Sequence, residues 1–250
     1  MTTGLGPAHT DPMAPEELAP IPRTLSHFTE TGERRTLDEA VLAEEGGCVV
    51  ILGEPGLGKT TLLETLGSRH GWVMRRAAQF AIDPDPGRLA GEAGVILIDA
   101  LDEMSAVNES DPLDSVLAKL VEGTLPRCFI ACRSAEWQGA AYRRTIEQEY
   151  SGRLTVLKLH RFDRQDALVY LNRLSVAEAD AILDQLDRTH AEEIYGNPLT
   201  LQLLADACRV SGKVPETRAA LFRAACEVMW EERGVDPGRR RSPLASLDEG

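Results

Sequence analysis

The clearest candidate for a functional site in the sequence is a glycine-rich segment. It lies between an apolar run and a segment with helical periodicity. Residues 53–60, Gly-Glu-Pro-Gly-Leu-Gly-Lys-Thr, fit the pattern G-x-x-x-x-G-K-[ST]. Its glycines permit positive φ angles that bring backbone N–H groups around a phosphate, and the following helix N-terminus adds partial positive charge. The pattern predicts a phosphate-binding loop whose nucleotide contacts come from Gly53, Glu54, Pro55, Gly56, Leu57, Gly58, Lys59, Thr60 and Thr61.

Side chains for a divalent cation and for the outer phosphates follow from the same pattern. Lys59 supplies a cation to the β and γ phosphates, and the Thr60 hydroxyl is a hard oxygen ligand for Mg²⁺. A second apolar run, residues 95–98, ends in Asp99, which would lie at the carboxyl edge of a parallel sheet. We therefore expect Thr60 and Asp99 on the metal side of the site, with ATP or ADP and Mg²⁺ as cofactors.

Three further residues are candidates for the chemical step. Asp102 and Glu103 follow Asp99 by three and four residues, close enough to orient an attacking water near the γ-phosphate. The sequence does not choose between these two carboxylates. Arg133 directly follows another apolar run, so its guanidinium would project from the same edge and neutralise the γ-phosphate. We predict catalytic roles for Asp102, Glu103 and Arg133.

Apolar strands that alternate with amphipathic helices must position these residues. That alternation is typical of a parallel α/β sheet, and continuous apolar runs are typical of strands covered on both faces. After residue 160 the pattern becomes entirely helical. The sequence predicts an α/β fold, a P-loop NTPase parallel sheet flanked by helices and followed by a small all-helical domain, with strands at residues 48–52, 72–77, 94–98, 127–132 and 154–159.

Helix-start residues mark where several helices should begin. An Asp-Pro pair predicts an N-cap with proline at the first helical position, and Ser or Thr followed three residues later by Glu predicts a capping box. These patterns predict helices that start at Asp111-Pro112, at Asp163, at a Ser175–Glu178 capping box, at Asn197-Pro198 and at Pro215.

The domain organisation follows from composition along the chain. Residues 1–24 contain five prolines and little apolar periodicity, which predicts a flexible leader or linker with regular structure from near Leu37. The motifs place a nucleotide-binding domain at residues 25–160 and a helical domain at residues 161–234. Residues 235–250 are predicted to be a linker or tail.

Charge and hydropathy exclude several classes of function. The 27 Lys and Arg against 40 Asp and Glu give a net charge of −13, which disfavours direct binding to nucleic acid or to an anionic membrane. No apolar stretch reaches the roughly 20 residues that cross a bilayer, and the N-terminus lacks a signal-peptide pattern. The five cysteines are scattered, as is typical of reduced thiols. We expect a cytoplasmic protein without direct nucleic-acid or membrane contacts.

Four motifs in this order resemble the NACHT branch of the STAND signalling NTPases. They are the phosphate loop, Ile-Leu-Ile-Asp-Ala-Leu-Asp-Glu at 96–103, Cys-Arg-Ser at 132–134 and Gly-Asn-Pro-Leu at 196–199. The resemblance covers residues 45–210 and implies an ATP- and ADP-binding regulatory switch with slow Mg-dependent hydrolysis. In the family, the proline of the last motif packs near the base and diphosphate, which implies that role for Pro198.

The resemblance also implies protein partners. In the family, nucleotide exchange or ATP binding converts a closed monomer into an oligomer. This chain ends before a winged-helix domain, so we expect a fragment, or a member without that domain, with protein contacts or self-association through C-terminal domains of a full-length protein. One departure is Ala100, where the family usually has glycine after the metal-side aspartate.

Two other classes of P-loop protein remain as alternatives. A phosphotransferase should carry an arginine-bearing lid and an acceptor pocket, whereas the segment after the last strand here predicts a helical bundle. A AAA+ mechanical ATPase would place a glutamate directly after the strand aspartate, where this chain has Ala100. No motif indicates the sensed signal, the attached effector or a preference between ATP and GTP.

Overall fold

One sheet organises the part of the chain that the structure describes. The structure, a computed structural model, describes residues 21–28, 34–106, 111–124, 127–149 and 153–211, with residues 219, 220 and 223. The sheet has the strand order β2-β1-β7-β3-β6-β5-β4. Its strands are β1 (Thr24–Phe28), β2 (Arg34–Asp38), β3 (Cys48–Gly53), β4 (Val73–Arg76), β5 (Val95–Asp99), β6 (Arg127–Arg133) and β7 (Leu154–Leu159).

The helices fall into a group around the sheet and a group that follows it. Around the sheet are α1 (Glu39–Leu42), α2 (Lys59–His70), α3 (Ala77–Ala81), α4 (Pro86–Leu89), α5 (Pro112–Glu122) and α6 (Ala140–Glu149), with short 3₁₀ helices at Gly91–Ala93 and Leu101–Ala106. After the last strand come α7 (Arg164–Arg173), α8 (Ala179–Arg188), α9 (Glu192–Tyr195) and α10 (Pro198–Ser211).

The central strands are parallel and covered on both faces. β3 pairs in parallel with β6 on one side and with β7 on the other, and β6 pairs in parallel with β5. One face of the sheet packs on α3, α5 and α6 through side chains such as Phe80, Leu117 and Ile146. The other face packs on α2 through Leu62 and Leu66. These two apolar layers explain why the strands are continuous apolar runs.

The predicted fold class is confirmed. Each of the five predicted strands is present, and its ends lie within one residue of the prediction. The helices after β7 share a separate apolar core that includes Leu171, Leu183 and Leu204, and Ile21 from the segment before β1 also packs in it. The chain therefore has the α/β fold of a P-loop NTPase followed by an all-helical segment. The residue limits of the two predicted domains stay a prediction.

Two antiparallel strands at one side of the sheet, β1 and β2, are missing from the sequence prediction. β1 pairs antiparallel with β7 through Leu25↔Leu159, and β2 pairs antiparallel with β1. Within the described residues the first strand therefore begins at Thr24, and the expectation that regular structure begins near Leu37 is wrong. Ile21 and Arg23, placed in the predicted leader, are each 8% exposed. Pairing with β7 orders this short segment, and residues 1–20 lie outside the described residues.

Three of the predicted helix starts, those at Asp111, Asp163 and Asn197, are confirmed by their caps. The Asp111 side chain accepts a hydrogen bond from Leu113 N at 2.9 Å at the start of α5. Asp163 forms a capping box with Asp166 at the start of α7. Each carboxylate thus satisfies N–H groups that have no partner within the helix.

The capping box predicted at Ser175 and Glu178 is wrong. α8 begins at Ala179, after Glu178 in the left-handed conformation, and Glu178 makes no side-chain capping hydrogen bond. Ser175 is also left-handed, with a φ of 55°, and Val176 N donates to Leu171 O. Ser175 therefore belongs to the turn that ends α7, whereas Glu178 directly precedes α8 and its backbone oxygen accepts from Ile182 N.

The remaining predictions concern the C-terminal residues, membrane-spanning helices and the cysteines. The helix predicted from Pro215 and the tail at residues 235–250 lie outside the described residues, apart from residues 219, 220 and 223. Within the described part, no helix combines the length and the apolar character needed to cross a membrane. Three of the cysteines, Cys48, Cys128 and Cys132, are buried free thiols.

Candidate functional site

The glycine-rich loop has a backbone that depends on glycine. It joins β3 to α2, and Gly56 and Gly58 have φ angles of 79° and 86°. A side chain in this left-handed region is strained. Leu57 between them is 2% exposed and anchors the loop in the core. Gly58 is the N-cap of α2, so the loop leads directly into a helix N-terminus.

The side chain of Lys59 folds back over the loop. Its Nζ donates to Gly53 O at 2.9 Å and to Glu54 O at 3.1 Å. Burial lowers the pKa of Lys59, and the charge of Asp102 acts in the opposite direction. The lysine thus lies at the mouth of the loop with an acidic residue nearby.

Thr60 and Asp99 meet at the carboxyl edge of the sheet. Thr60 Oγ1 donates to Asp99 Oδ2 at 2.8 Å, which joins the start of α2 to the end of β5. Asp99 is 8% exposed. Two hard oxygen atoms at this spacing are suited to the shell of a magnesium ion.

The two candidate carboxylates after Asp99 lie in different surroundings. The Asp102 side chain is 6% exposed, and its Oδ2 lies 2.7 Å from Arg133 Nε. The Glu103 side chain is 57% exposed and lies 3.9 Å from Arg76 Nη1, at the end of β4. Asp102, Arg133 and Lys59 therefore lie close to one another, whereas Glu103 points toward solvent and away from this group.

Ala100 occupies a backbone position that favours glycine. Its φ is 57°, in the left-handed region, at the turn between β5 and the 3₁₀ helix that carries Asp102 and Glu103. An alanine there is strained because its Cβ approaches the following carbonyl oxygen. This turn gives a physical reason for a glycine after the aspartate.

A pocket of about 580 Å³ adjoins the loop on the α2 side. Its walls come from the segment before β1, from α2 and from the helical segment after β7. The residues that line it include Ile21, Arg23, Gly58, Thr61, Leu62, Phe162, Tyr170 and Pro198. Pro198 thus lies in the pocket wall beside the loop, and its contact with a nucleotide stays a prediction.

Arg23 connects two walls of the pocket, since it contacts both His160 and Phe162. Its Nη2 donates to His160 O at 2.6 Å, and its guanidinium carbon lies 4.4 Å from the centre of the Phe162 ring. Burial lowers the pKa of Arg23, and the charges of Asp166 and Glu39 oppose that shift. The residue joins the first strand to the start of the helical segment.

Glu39 fixes the position of Arg23 from the other side. Its carboxylate accepts a hydrogen bond from Arg23 N at 3.3 Å and pairs with Arg69 Nη1 at 2.8 Å. Burial raises the pKa of Glu39, and the charge of Arg69 opposes that shift. Glu39 therefore holds the pocket wall formed by the segment before β1 against α2.

The helical segment also contacts the outer turn of the loop. Asn197 Nδ2 donates to Pro55 O at 2.8 Å, and Leu199 N donates to Gly56 O at 3.3 Å. Arg161 Nη2 lies 2.5 Å from Glu54 Oε2. The start of α10 is thus held against the loop.

Sequence reasoning missed Arg23, Phe162, Tyr170 and the contact from Asn197. These residues belong to no phosphate motif, and the fold alone brings them to the loop. The apolar residues Ile21, Leu25 and Phe28 do not alternate with a period of two, so the local sequence does not indicate the strand that follows Arg23.

Comparisons with known proteins find a similarity among solved structures but no matching family model or curated protein. No protein-family model and no curated protein matches this chain. Among solved structures, a RuvB variant from Thermotoga maritima is similar, with 16% sequence identity and a TM-score of 0.39. The match covers 76% of this chain and 65% of that chain, so it spans less than two thirds of that protein's length. A likeness at this level carries no argument about activity.

Proposed function

We propose that this chain is an ATP- and ADP-binding module that hydrolyses ATP slowly with Mg²⁺ and acts as a regulatory switch of the STAND, NACHT-like kind. The observation that carries the proposal is the convergence of Lys59 and two pairs of residues at one sheet edge. Lys59 lies over the loop, Thr60 is bonded to Asp99, and Asp102 is paired with Arg133. Each pair has a separate task in phosphoryl chemistry.

The donor set at the sheet edge fits magnesium. Thr60 and Asp99 would hold it, since both present oxygen atoms, and Mg²⁺ is usually bound by one or two carboxylates together with substrate phosphates. Within the described residues, no group of three or more His, Cys, Asp or Glu side chains is arranged to hold a metal by itself. Mg²⁺, when bound, supplies charge neutralisation of the phosphates.

Asp102 is the residue that we propose to orient the attacking water. Its burial and its proximity to Lys59 favour it over the exposed Glu103. Arg133 would stabilise charge on the γ-phosphate from the neighbouring strand end. Because Arg133 pairs with Asp102, a phosphate that attracts the arginine would also change the surroundings of the carboxylate.

The base and ribose are proposed to occupy the pocket beside the loop. Apolar and aromatic walls with a few polar groups are typical of nucleotide-sized ligand sites. Ile21, Phe162 and Pro198 supply such walls, and the pocket is continuous with Gly58 and Thr61 of the loop. A nucleotide there would touch both the sheet domain and the helical segment, which is what a switch needs.

The protein partners of the switch are proposed from the family resemblance alone. In that family the nucleotide state controls self-association, so we propose that further domains or other copies of the protein respond to the nucleotide bound here. The net charge of −13 favours protein partners over nucleic acid.

Calorimetric titration with ATP, ADP and GTP, with and without Mg²⁺, tests the nucleotide assignment. In Lys59→Ala, the loss of a charge-assisted contact worth about 1.5 to 3 kcal/mol should weaken MgATP binding about tenfold or more. Lys119→Ala is the matched control, because Lys119 lies on α5 and pairs with Glu122. Unchanged affinity of Lys59→Ala would contradict the phosphate-loop assignment.

Turnover assays separate the switch from the other classes of P-loop protein. A switch should release phosphate slowly and without an acceptor. ADP release that depends on a small acceptor would favour a phosphotransferase. Fast turnover in nucleotide-dependent hexamers would favour a mechanical ATPase.

A further inference from the structure

Asn197 uses both ends of its side-chain amide at the junction between the loop and the helical segment. The Oδ1 atom accepts hydrogen bonds from Leu199 N at 3.0 Å and from Thr200 N at 3.4 Å, which caps α10. The Nδ2 atom donates to Pro55 O at 2.8 Å. A helix cap needs only the acceptor, so the donor is available for a second task.

The contact with the loop is a close approach of backbone to side chain. A Cβ atom added at Gly56 would lie 2.7 Å from Asn197 Oδ1 and 2.9 Å from Leu199 Cβ. Leu199 N also donates to Gly56 O at 3.3 Å. Two successive carbonyl groups of the loop, those of Pro55 and Gly56, are therefore held by the start of α10.

This contact orients an N–H group of the loop. The peptide unit between Pro55 and Gly56 is planar and trans, so its C=O and N–H point in opposite directions. Because Asn197 holds Pro55 O toward the helical segment, the N–H of Gly56 points away from that segment. Phosphate loops bind through N–H groups with fixed directions.

We propose that Asn197 is a positioning residue for the nucleotide phosphates. It fixes the peptide between Pro55 and Gly56 in the binding orientation and thereby couples the phosphate loop to the helical segment. This inference rests on the nucleotide-binding function proposed above. The coupling is reciprocal, so bound nucleotide should stabilise the start of α10 to the same extent that α10 stabilises the bound nucleotide.

The Arg161–Glu54 ion pair is a weaker connection between the same two parts. Its side chains are 48% and 49% exposed, and exposed pairs are screened by solvent and salt. Arg161→Gln should therefore change nucleotide dissociation less than a change at Asn197.

Stopped-flow dissociation of a fluorescent ADP analogue, together with thermal unfolding, tests the proposal. Asn197→Ser and Asn197→Asp both keep a cap acceptor and remove the amide donor. We expect a small decrease of the unfolding midpoint, similar in the two variants, and dissociation about fivefold faster in both, the change that corresponds to one lost neutral hydrogen bond. The use of two variants separates the lost donor from the charge that aspartate adds.

Thr200→Val is the control for a purely structural effect. The Thr200 hydroxyl donates to Ile194 O and Asn197 O within the helical segment. This variant should lower the unfolding midpoint and leave the dissociation rate within about twofold of wild type. Wild-type dissociation from Asn197→Ser would overturn the positioning role. Failure of the wild-type protein to bind the analogue would instead overturn the proposed function itself.

Discussion

Asp102 and Arg133 form an ion pair across two neighbouring strand ends, with Oδ2 and Nε 2.7 Å apart. Arg133 is the last residue of β6, and Asp102 lies just beyond β5. Parallel pairing of these strands places both side chains at one edge. The pair therefore joins the residue that would contact the γ-phosphate to the residue that would orient water.

This pairing predicts different effects of changing the two acidic residues. Asp102→Asn should keep MgATP affinity within about threefold and slow phosphate release by about 100-fold, because the amide cannot accept a proton from water. Glu103→Gln is the matched control, and its turnover should be close to that of wild type. Single-turnover phosphate release and calorimetry measure the two quantities. Slow turnover in Glu103→Gln with normal turnover in Asp102→Asn would reverse the assignment.

Ala100→Gly should stabilise the protein. Glycine adopts a φ of 57° without the steric cost that alanine has there, so the free energy of unfolding should rise by about 0.5 to 1 kcal/mol despite the larger entropy of glycine in the unfolded chain. Ala78→Gly, in helix α3, should lower it by about 1 kcal/mol. Urea unfolding of both variants compares the two effects. A stability loss in Ala100→Gly would show that the left-handed turn costs the alanine little.

Motif spacing predicted which residues meet at this edge of the sheet because each motif is local. Lys59 and Thr60 follow their strand by a fixed loop, and Asp99 and Arg133 end strands that run in parallel, so their side chains reach one edge. The choice between Asp102 and Glu103 is different. It depends on how the 3₁₀ turn after Ala100 directs successive side chains, which spacing along the chain does not determine.

The pocket and the junction with α10 could not be predicted from local patterns. Arg23 and Phe162 come together only after β1 has paired with β7. Asn197 bonds a loop carbonyl 142 residues earlier in the chain. The Asn-Pro pair predicted a helix cap, which is present. A cap pattern involves only the Oδ1 acceptor, so it does not predict the partner of Nδ2.

Gly56→Ala should weaken ADP binding more than a Gly→Ala change at a position where the added Cβ contacts no other atom. The added Cβ would meet both Asn197 and Leu199 at less than 3 Å and would also be strained at a φ of 79°. Gly91→Ala is the matched control, since Gly91 also has a positive φ of 55° but nothing within 4 Å of the added atom. Both variants should lose about 1 kcal/mol from backbone strain, and Gly56→Ala should also bind ADP about tenfold more weakly. Equal ADP affinity in the two variants would show that the loop tolerates displacement from α10.

The Cys132 thiol should make stability fall at alkaline pH. Burial, with a further contribution from the charge of Asp102, raises its pKa from 9.0 to about 12. Above pH 9 the unfolded chain releases this proton and the folded protein keeps it, so the unfolded state binds fewer protons and stability declines as pH rises toward 12. One such proton gives a slope of at most about 1.4 kcal/mol per pH unit, whereas below pH 9 both states are protonated and the slope vanishes. Cys132→Ala removes this slope and adds a pH-independent loss from the smaller side chain. Urea unfolding of the wild-type protein and Cys132→Ala at pH 8, 9 and 10 measures this effect. The wild-type protein should be more stable than the variant at pH 8, and this difference should shrink above pH 9. A constant difference would show that the thiol does not titrate in this way.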